Sequence, residues 1–150
     1  VELAIRTETL IITSLGQAAR PPRQVAVALA LFLRSLADEL PPVPLDHPGG
    51  AVFEEHCEPC HGGEGLTGPP TPLGEVGTDP AVGASPDRTT GAYRTPSLRG
   101  VGDRRPLLSD GAVPDLPTLL SPDRDAPGHP YGQGLDADRR AALLDFLNAL

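Results

Sequence analysis

In the run Glu54-Glu55-His56-Cys57-Glu58-Pro59-Cys60-His61, two thiols stand three residues apart and an imidazole follows at once. They are the only cysteines in the chain. Several chemistries use such a pair. A thioredoxin-like C-x-x-C needs a βαβ setting, and no such pattern surrounds it. A zinc site needs two more donors at suitable spacing, whereas the remaining histidines, His47, His56 and His129, are scattered along the chain. A disulfide between residues three apart closes a very small loop and stabilises little. Against these and a chance match, the spacing favours covalent haem attachment: Cys57 and Cys60 add across the two vinyl groups of a haem, whose spacing they match, and His61 lies beneath the iron as proximal ligand.

The rest of the composition agrees with a chain built around something that is not protein. Its 150 residues allow one domain and part of another. They include 19 Pro and 17 Gly, so loops and turns must dominate. Only 3% are aromatic and there is no Trp, which leaves little with which to fill a core. The net charge is −8, and no basic patch stands out, so nucleic acid is not an expected partner. An acidic surface suits a docking partner with a basic face. No run of about 18 uncharged apolar residues is present, so no membrane span is expected. The sequence starts at Val1 rather than Met and reads as a processed or truncated product.

The elements that must position the motif follow from local patterns. Residues 1–19 alternate loosely and read as irregular or partly extended. Pro21-Pro22 opens a helix whose stripe is Val25, Leu29, Phe32, Leu33, Leu36 and Leu40, and Pro41-Pro42 closes it. Residues 41–50 form a linker by composition. A short helix runs from Gly50 to about Cys60 and delivers the motif. Residues 62–91 read as one long loop wrapped around a ligand. A helical turn is expected at Leu116–Leu120. Asp136 caps a C-terminal helix with Leu143, Phe146, Leu147 and Leu150 on its apolar stripe. Asp110-Gly111 reads as a turn.

With these pieces in place, residues 48–150 resemble a c-type cytochrome. More narrowly, YRTPSLRGVGDRRPLLSDGAVPDLPTLL, after CEPCHGG and before the FLNAL helix, resembles the second, electron-transferring haem domain of the bacterial di-haem cytochrome c peroxidases. The resemblance implies an all-α, class I cytochrome c-like domain, with small helices and long loops around one covalent haem c. It places the domain at 51–150, after a 1–40 segment that is either the remnant of a preceding cytochrome domain or a packing helix. It also implies a periplasmic or extracellular location, where thioethers are made. The expected partners are a redox protein and other cytochrome subunits. Two departures stand out. Leu108 and Ser109 replace the aromatic residue and His that usually precede Asp-Gly, and one C-x-x-C-H replaces two.

The family's distal Met in this domain lies in a loop shortly before the terminal helix. This chain has no Met and no Lys. His129, in GHPYGQGL, occupies the comparable place and is the expected distal ligand. His47 is a less constrained alternative, Tyr131 could bond to or replace His129, and His56 is held on the attachment side. Arg99, or else Arg94, is expected to meet a haem propionate, and Tyr93 and Pro96 to pack on the macrocycle. Two functions then compete. With both axial positions filled, the chain is an electron relay of low potential, since His in place of Met lowers it. With an open or displaceable distal position, it is a peroxidase-like enzyme.

Overall fold

The computed structural model describes residues 2–16, 18–37, 42–44, 46–86 and 90–150. They form two units, Val1–Leu40 and Pro41–Leu150. Among the described residues the fold is helical, with a single pair of two-residue strands.

In the first unit, residues 2–13 are not extended. They form helix α1, Glu2–Thr13. The loose alternation of apolar residues argued for an irregular or partly extended segment. However, the threonine hydroxyls of Thr7, Thr9 and Thr13 donate back to the carbonyls of Leu3, Ile5 and Thr9 one turn earlier. Arg6 also pairs with Glu2 at 2.6 Å, four residues away. Helix α2 runs Arg23–Ala37 and packs with α1. Its buried side chains are Ala26 and Ala30, whereas Val25, Leu29, Phe32, Leu33 and Leu36 of the expected stripe stay exposed. Small residues let the two helices approach, so the helical spacing was right and the buried face was not the one expected. Leu40 lies outside the described residues.

In the second unit, the last residues of the expected linker are already helical. Helix α3 spans Pro48–His56, with Pro at its first turn and His47 as N-cap, whose Nδ1 accepts from the Gly49 N–H at 3.1 Å. The helix breaks at Cys57, where φ is −122°, and restarts as α4, Glu58–His61. Pro59 is tolerated there because it sits in a first turn, where no N–H bond is lost.

The 62–91 stretch is more structured than a single loop. Strand β1, Thr71–Pro72, is followed by the short helices α5, Leu73–Val76, and α6, Pro80–Gly83. Strand β2, Ala92–Tyr93, returns antiparallel to β1, with Thr71 opposite Tyr93. A 3₁₀ turn at Val101–Asp103 follows. Helix α7, Leu116–Leu119, is the helical turn expected there, capped by Asp115, which accepts from the Thr118 N–H at 2.8 Å. Helix α8, Ala137–Asn148, is capped by Asp136 as expected, through the Arg139 N–H at 2.9 Å.

The core lies between α3 and α8. Leu143, Phe146 and Leu147 of α8 and Leu150 just beyond its end are all buried, as their spacing required, and cluster with Val52 and Phe53 of α3. The Phe53 and Phe146 rings tilt against each other with centroids 5.2 Å apart. The helices approach so closely at Gly49 that a Cβ there would overlap the Ala142 carbonyl. Gly49→Ala is therefore expected to destabilise the second unit by about 2 kcal/mol, the usual cost of overpacking a fitted contact. Chemical denaturation of the two proteins checks this, and unchanged stability would place the contact in a part of the fold that yields.

Candidate functional site

The α3–α4 junction opens onto an apolar cavity of about 480 Å³, a size typical of sites that hold a small molecule or cofactor. Cys57, Cys60 and His61 line it, together with Pro96, Leu98 and Val101. Helices α7 and α8 contribute Leu116, Leu119, Leu143 and Leu147. Val76, Thr78, His129 and Tyr131 complete its wall.

Local backbone geometry sets the motif. The Cys57 N–H still bonds the Phe53 carbonyl at 2.8 Å, and the Cys57 carbonyl accepts from His61 at 2.9 Å, so one helical turn presents both sulfurs and the imidazole. Both thiols are free. Burial, and then the neighbouring Cys60, push the Cys57 thiol up to about 11. It is a neutral thiol at pH 7, the opposite of the depressed thiols that carry out disulfide exchange. Among the described residues no group of three or more His, Cys, Asp and Glu converges as metal donors.

His61 is buried. Burial lowers its affinity for a proton, while hydrogen bonds to the Leu66 and Pro96 carbonyls work the other way. Its Nδ1 lies 3.4 Å from the Leu66 carbonyl. In the tautomer with the ring proton on Nδ1, that carbonyl accepts it and Nε2 keeps the lone pair.

His129 faces the same cavity from the loop before α8. Burial, the His61 ring and Arg124 together bring it down to about 4. A neutral imidazole is the form that binds a metal. Its Nδ1 is buried without a hydrogen-bond partner, as is Thr78 Oγ1. Tyr131 lies edge-on to it, centroids 5.4 Å apart. The Tyr131 hydroxyl reaches the Glu75 carbonyl at 3.4 Å.

The loop walls are stitched by threonines. Buried Thr95 donates to the Pro69 carbonyl at 2.7 Å and meets the Thr71 hydroxyl at 3.1 Å, while the Thr67 hydroxyl donates to the Thr95 carbonyl. The Leu98 N–H bonds the Leu66 carbonyl at 3.0 Å. Tyr93 OH donates to the Asp79 carbonyl at 2.9 Å.

Most of the residues singled out in the sequence meet here. Cys57, Cys60, His61, Tyr93, Pro96 and His129 all line the cavity, as do Tyr131 and the departures Leu108 and Ser109. Arg99 does not, whereas Arg94 and Arg104 do. The Arg104 guanidinium caps the Ser97 and Arg99 carbonyls, both at 2.7 Å, and this fold-back brings it to the cavity. His47 is elsewhere, capping α3 with its ring 5.7 Å from Phe146. His56 borders the cavity beside Cys57, its Nε2 3.1 Å from Arg139. Thr78 and Arg104 went unnoticed in the sequence because only the folded loops bring them to the cavity.

These residues fit a covalently held haem. Two sulfurs sit at one turn, that of Cys57 as a neutral thiol, two neutral buried imidazoles face one apolar space, and one imidazole nitrogen is buried with nothing to bond. Comparison with family models, with curated proteins and with solved structures returns no match for the chain.

Thr95→Val removes a buried donor and strands the Pro69 carbonyl. It should destabilise the second unit by about 1–3 kcal/mol, read by denaturant unfolding. A neutral result would mean that water replaces the hydroxyl.

Proposed function

We propose that the second unit is a monohaem c-type cytochrome domain, of class I type, that relays electrons and performs no substrate chemistry. Cys57 and Cys60 hold the single haem c through thioethers, His61 is its proximal ligand and His129 its distal one. The observation that carries this reading is the pairing of His61 and His129, both buried and both held neutral, in the walls of the cavity that the two thiols border. The likeness of residues 48–150 to the electron-transferring domain of the di-haem peroxidases supports the same reading.

When bound, the haem supplies a one-electron iron couple. The chain does the rest. The 57–61 turn places both anchors and the proximal nitrogen in one rigid piece of backbone. The Leu66 and Pro96 carbonyls are hydrogen-bond partners for the His61 ring and help to orient it. Leu116, Leu119, Leu143 and Leu147 keep water from the buried face. Arg94 and Arg104 bring positive charge to the cavity wall, suited to the carboxylates of the macrocycle. Imidazole in place of thioether on the distal side lowers the potential. A relay of low potential needs a redox partner, either a separate protein or other cytochrome subunits, and the net charge of −8 suits a partner with a basic face. Thioethers of this kind are made outside the cytoplasm, which supports a periplasmic or extracellular location. Among the described residues no helix is long and apolar enough to cross a membrane.

The optical spectrum of purified protein tests the assignment. Low-spin ferric and ferrous spectra without a sulfur-to-iron band are expected, and His129→Ala should turn the ferric form high-spin. A high-spin wild type that reacts with peroxide would move the reading to a peroxidase-like enzyme. A protein with no haem band would return the cysteines to a plain thiol pair.

The pH dependence has a definite sign. Burial penalises the imidazolium of His129, so protonation begins to compete only near pH 4, and bond formation to iron shifts it lower still. The low-spin spectrum should therefore persist from pH 8 to about 4. A conversion to high spin centred at the ordinary imidazole value of about 6.5 would mean that this ring is open to water.

A further inference from the structure

His129 sits at φ 45°, in the left-handed region. A residue with a Cβ stays there only when its surroundings over-determine it. Here they do so from both sides of the residue. On the amide side, the His129 N–H donates to the Val76 carbonyl at 2.6 Å. Gly128, at φ 90°, lies so close to Thr78 that a Cβ would overlap it. On the carbonyl side stands one guanidinium. Arg124 Nη2 donates to the Gly128 carbonyl at 2.7 Å and to the His129 carbonyl at 2.9 Å. With the Gln133 amide turned to suit its neighbours, its oxygen accepts from Arg124 Nε and Nη2 at 2.9 Å. One planar fork thus closes residues 124–133 on themselves, with His129 inside the closed segment. Arg124 is not among the residues that line the cavity. Its contacts with the segment are to backbone carbonyls and to Gln133.

We infer that Arg124 is the positioning residue of the distal ligand: its guanidinium holds the 128–129 carbonyls so that the His129 ring is presented to the iron rather than released with its loop. The inference rests on His129 being the distal ligand. Lysine keeps the charge but cannot bridge the carbonyls and Gln133 as a planar fork does. A held ligand also resists replacement. When the closed conformation is less populated, an external ligand competes better in proportion.

The test uses the full-length haem-loaded protein as wild type, His129→Ala, Arg124→Lys and Arg124→Ala, with ferric optical and electron paramagnetic resonance spectra and titration with free imidazole. A low-spin wild type, together with a high-spin His129→Ala returned to low spin by imidazole, establishes the ligand. A high-spin wild type or a low-spin His129→Ala removes His129 as ligand and overturns the role of Arg124 with it. Where the ligand is established, Arg124→Ala should show a mixed-spin ferric form and bind imidazole at roughly tenfold lower concentration than wild type. Arg124→Lys should move in the same direction. Spectra and imidazole affinity equal to wild type in the Arg124 variants overturn the inference and leave His129 as ligand. Lower thermal stability with an unchanged spectrum does the same, by assigning Arg124 to loop folding alone. If Arg124→Ala does not fold, Arg124→Lys decides by the same readings.

Discussion

The contact of α3 with α8 at Gly49 is the constraint on which the second unit turns. Because residue 49 has no side chain, the backbone of α3 rests against the Ala142 carbonyl, and Phe53 can reach Phe146. That approach fixes the direction of α3, which hands straight on to Cys57 and His61. It also fixes α8, whose Leu143 and Leu147 form part of the cavity wall. The motif and the surface it faces are thereby set by one helix pair. Arg139 adds a link near the end of α3, where it pairs with Glu55 and touches His56. Sparse aromatic content is sufficient for this frame, since Phe53 and Phe146 meet at the crossing and leucines supply much of the cavity wall.

Beyond the frame, the walls are made of chain with little regular structure. Their order comes from hydrogen bonds between loops: Thr95 to Pro69, Thr67 to Thr95, Leu98 to Leu66 and Leu107 to Val113. These bonds satisfy backbone groups that helices and sheets would otherwise pair. A loop-rich composition is compatible with a fixed cavity because hydroxyls and carbonyls of distant segments close on each other.

What could be read in advance follows the range of the interactions involved. The α8 helix declared itself through Asp136 and the spacing of Leu143, Phe146, Leu147 and Leu150, all local signals. The thiol pair and His61 were equally plain, because their geometry is that of a single helical turn. His129 was singled out only through the absence of Met and the expected likeness of its loop to that of a known family, and its backbone strain had no trace in the sequence. The α1 helix was missed because β-branched residues and loose alternation look extended, while its support comes from hydroxyls bonding one turn back. In α2 the period was plain but the buried face was not, since it is the small Ala26 and Ala30 that meet the neighbouring helix. Among the arginines, sequence pointed to Arg99 with Arg94 as its alternative, and the fold brings Arg94 and also Arg104 to the cavity, the latter by folding back onto the Ser97 and Arg99 carbonyls.

The partner of the His61 ring carries a consequence of its own. Its Nδ1 faces a neutral amide carbonyl at 3.4 Å and not a carboxylate. A carboxylate there would draw the ring proton toward itself and give the imidazole anionic character, making it a strong electron donor to any metal it bound. A distant carbonyl does this weakly. The ring therefore remains a modest donor and contributes little of the electronic push that helps an iron centre cleave a bound oxygen–oxygen bond. For the haem proposed above, that would favour passing a single electron on.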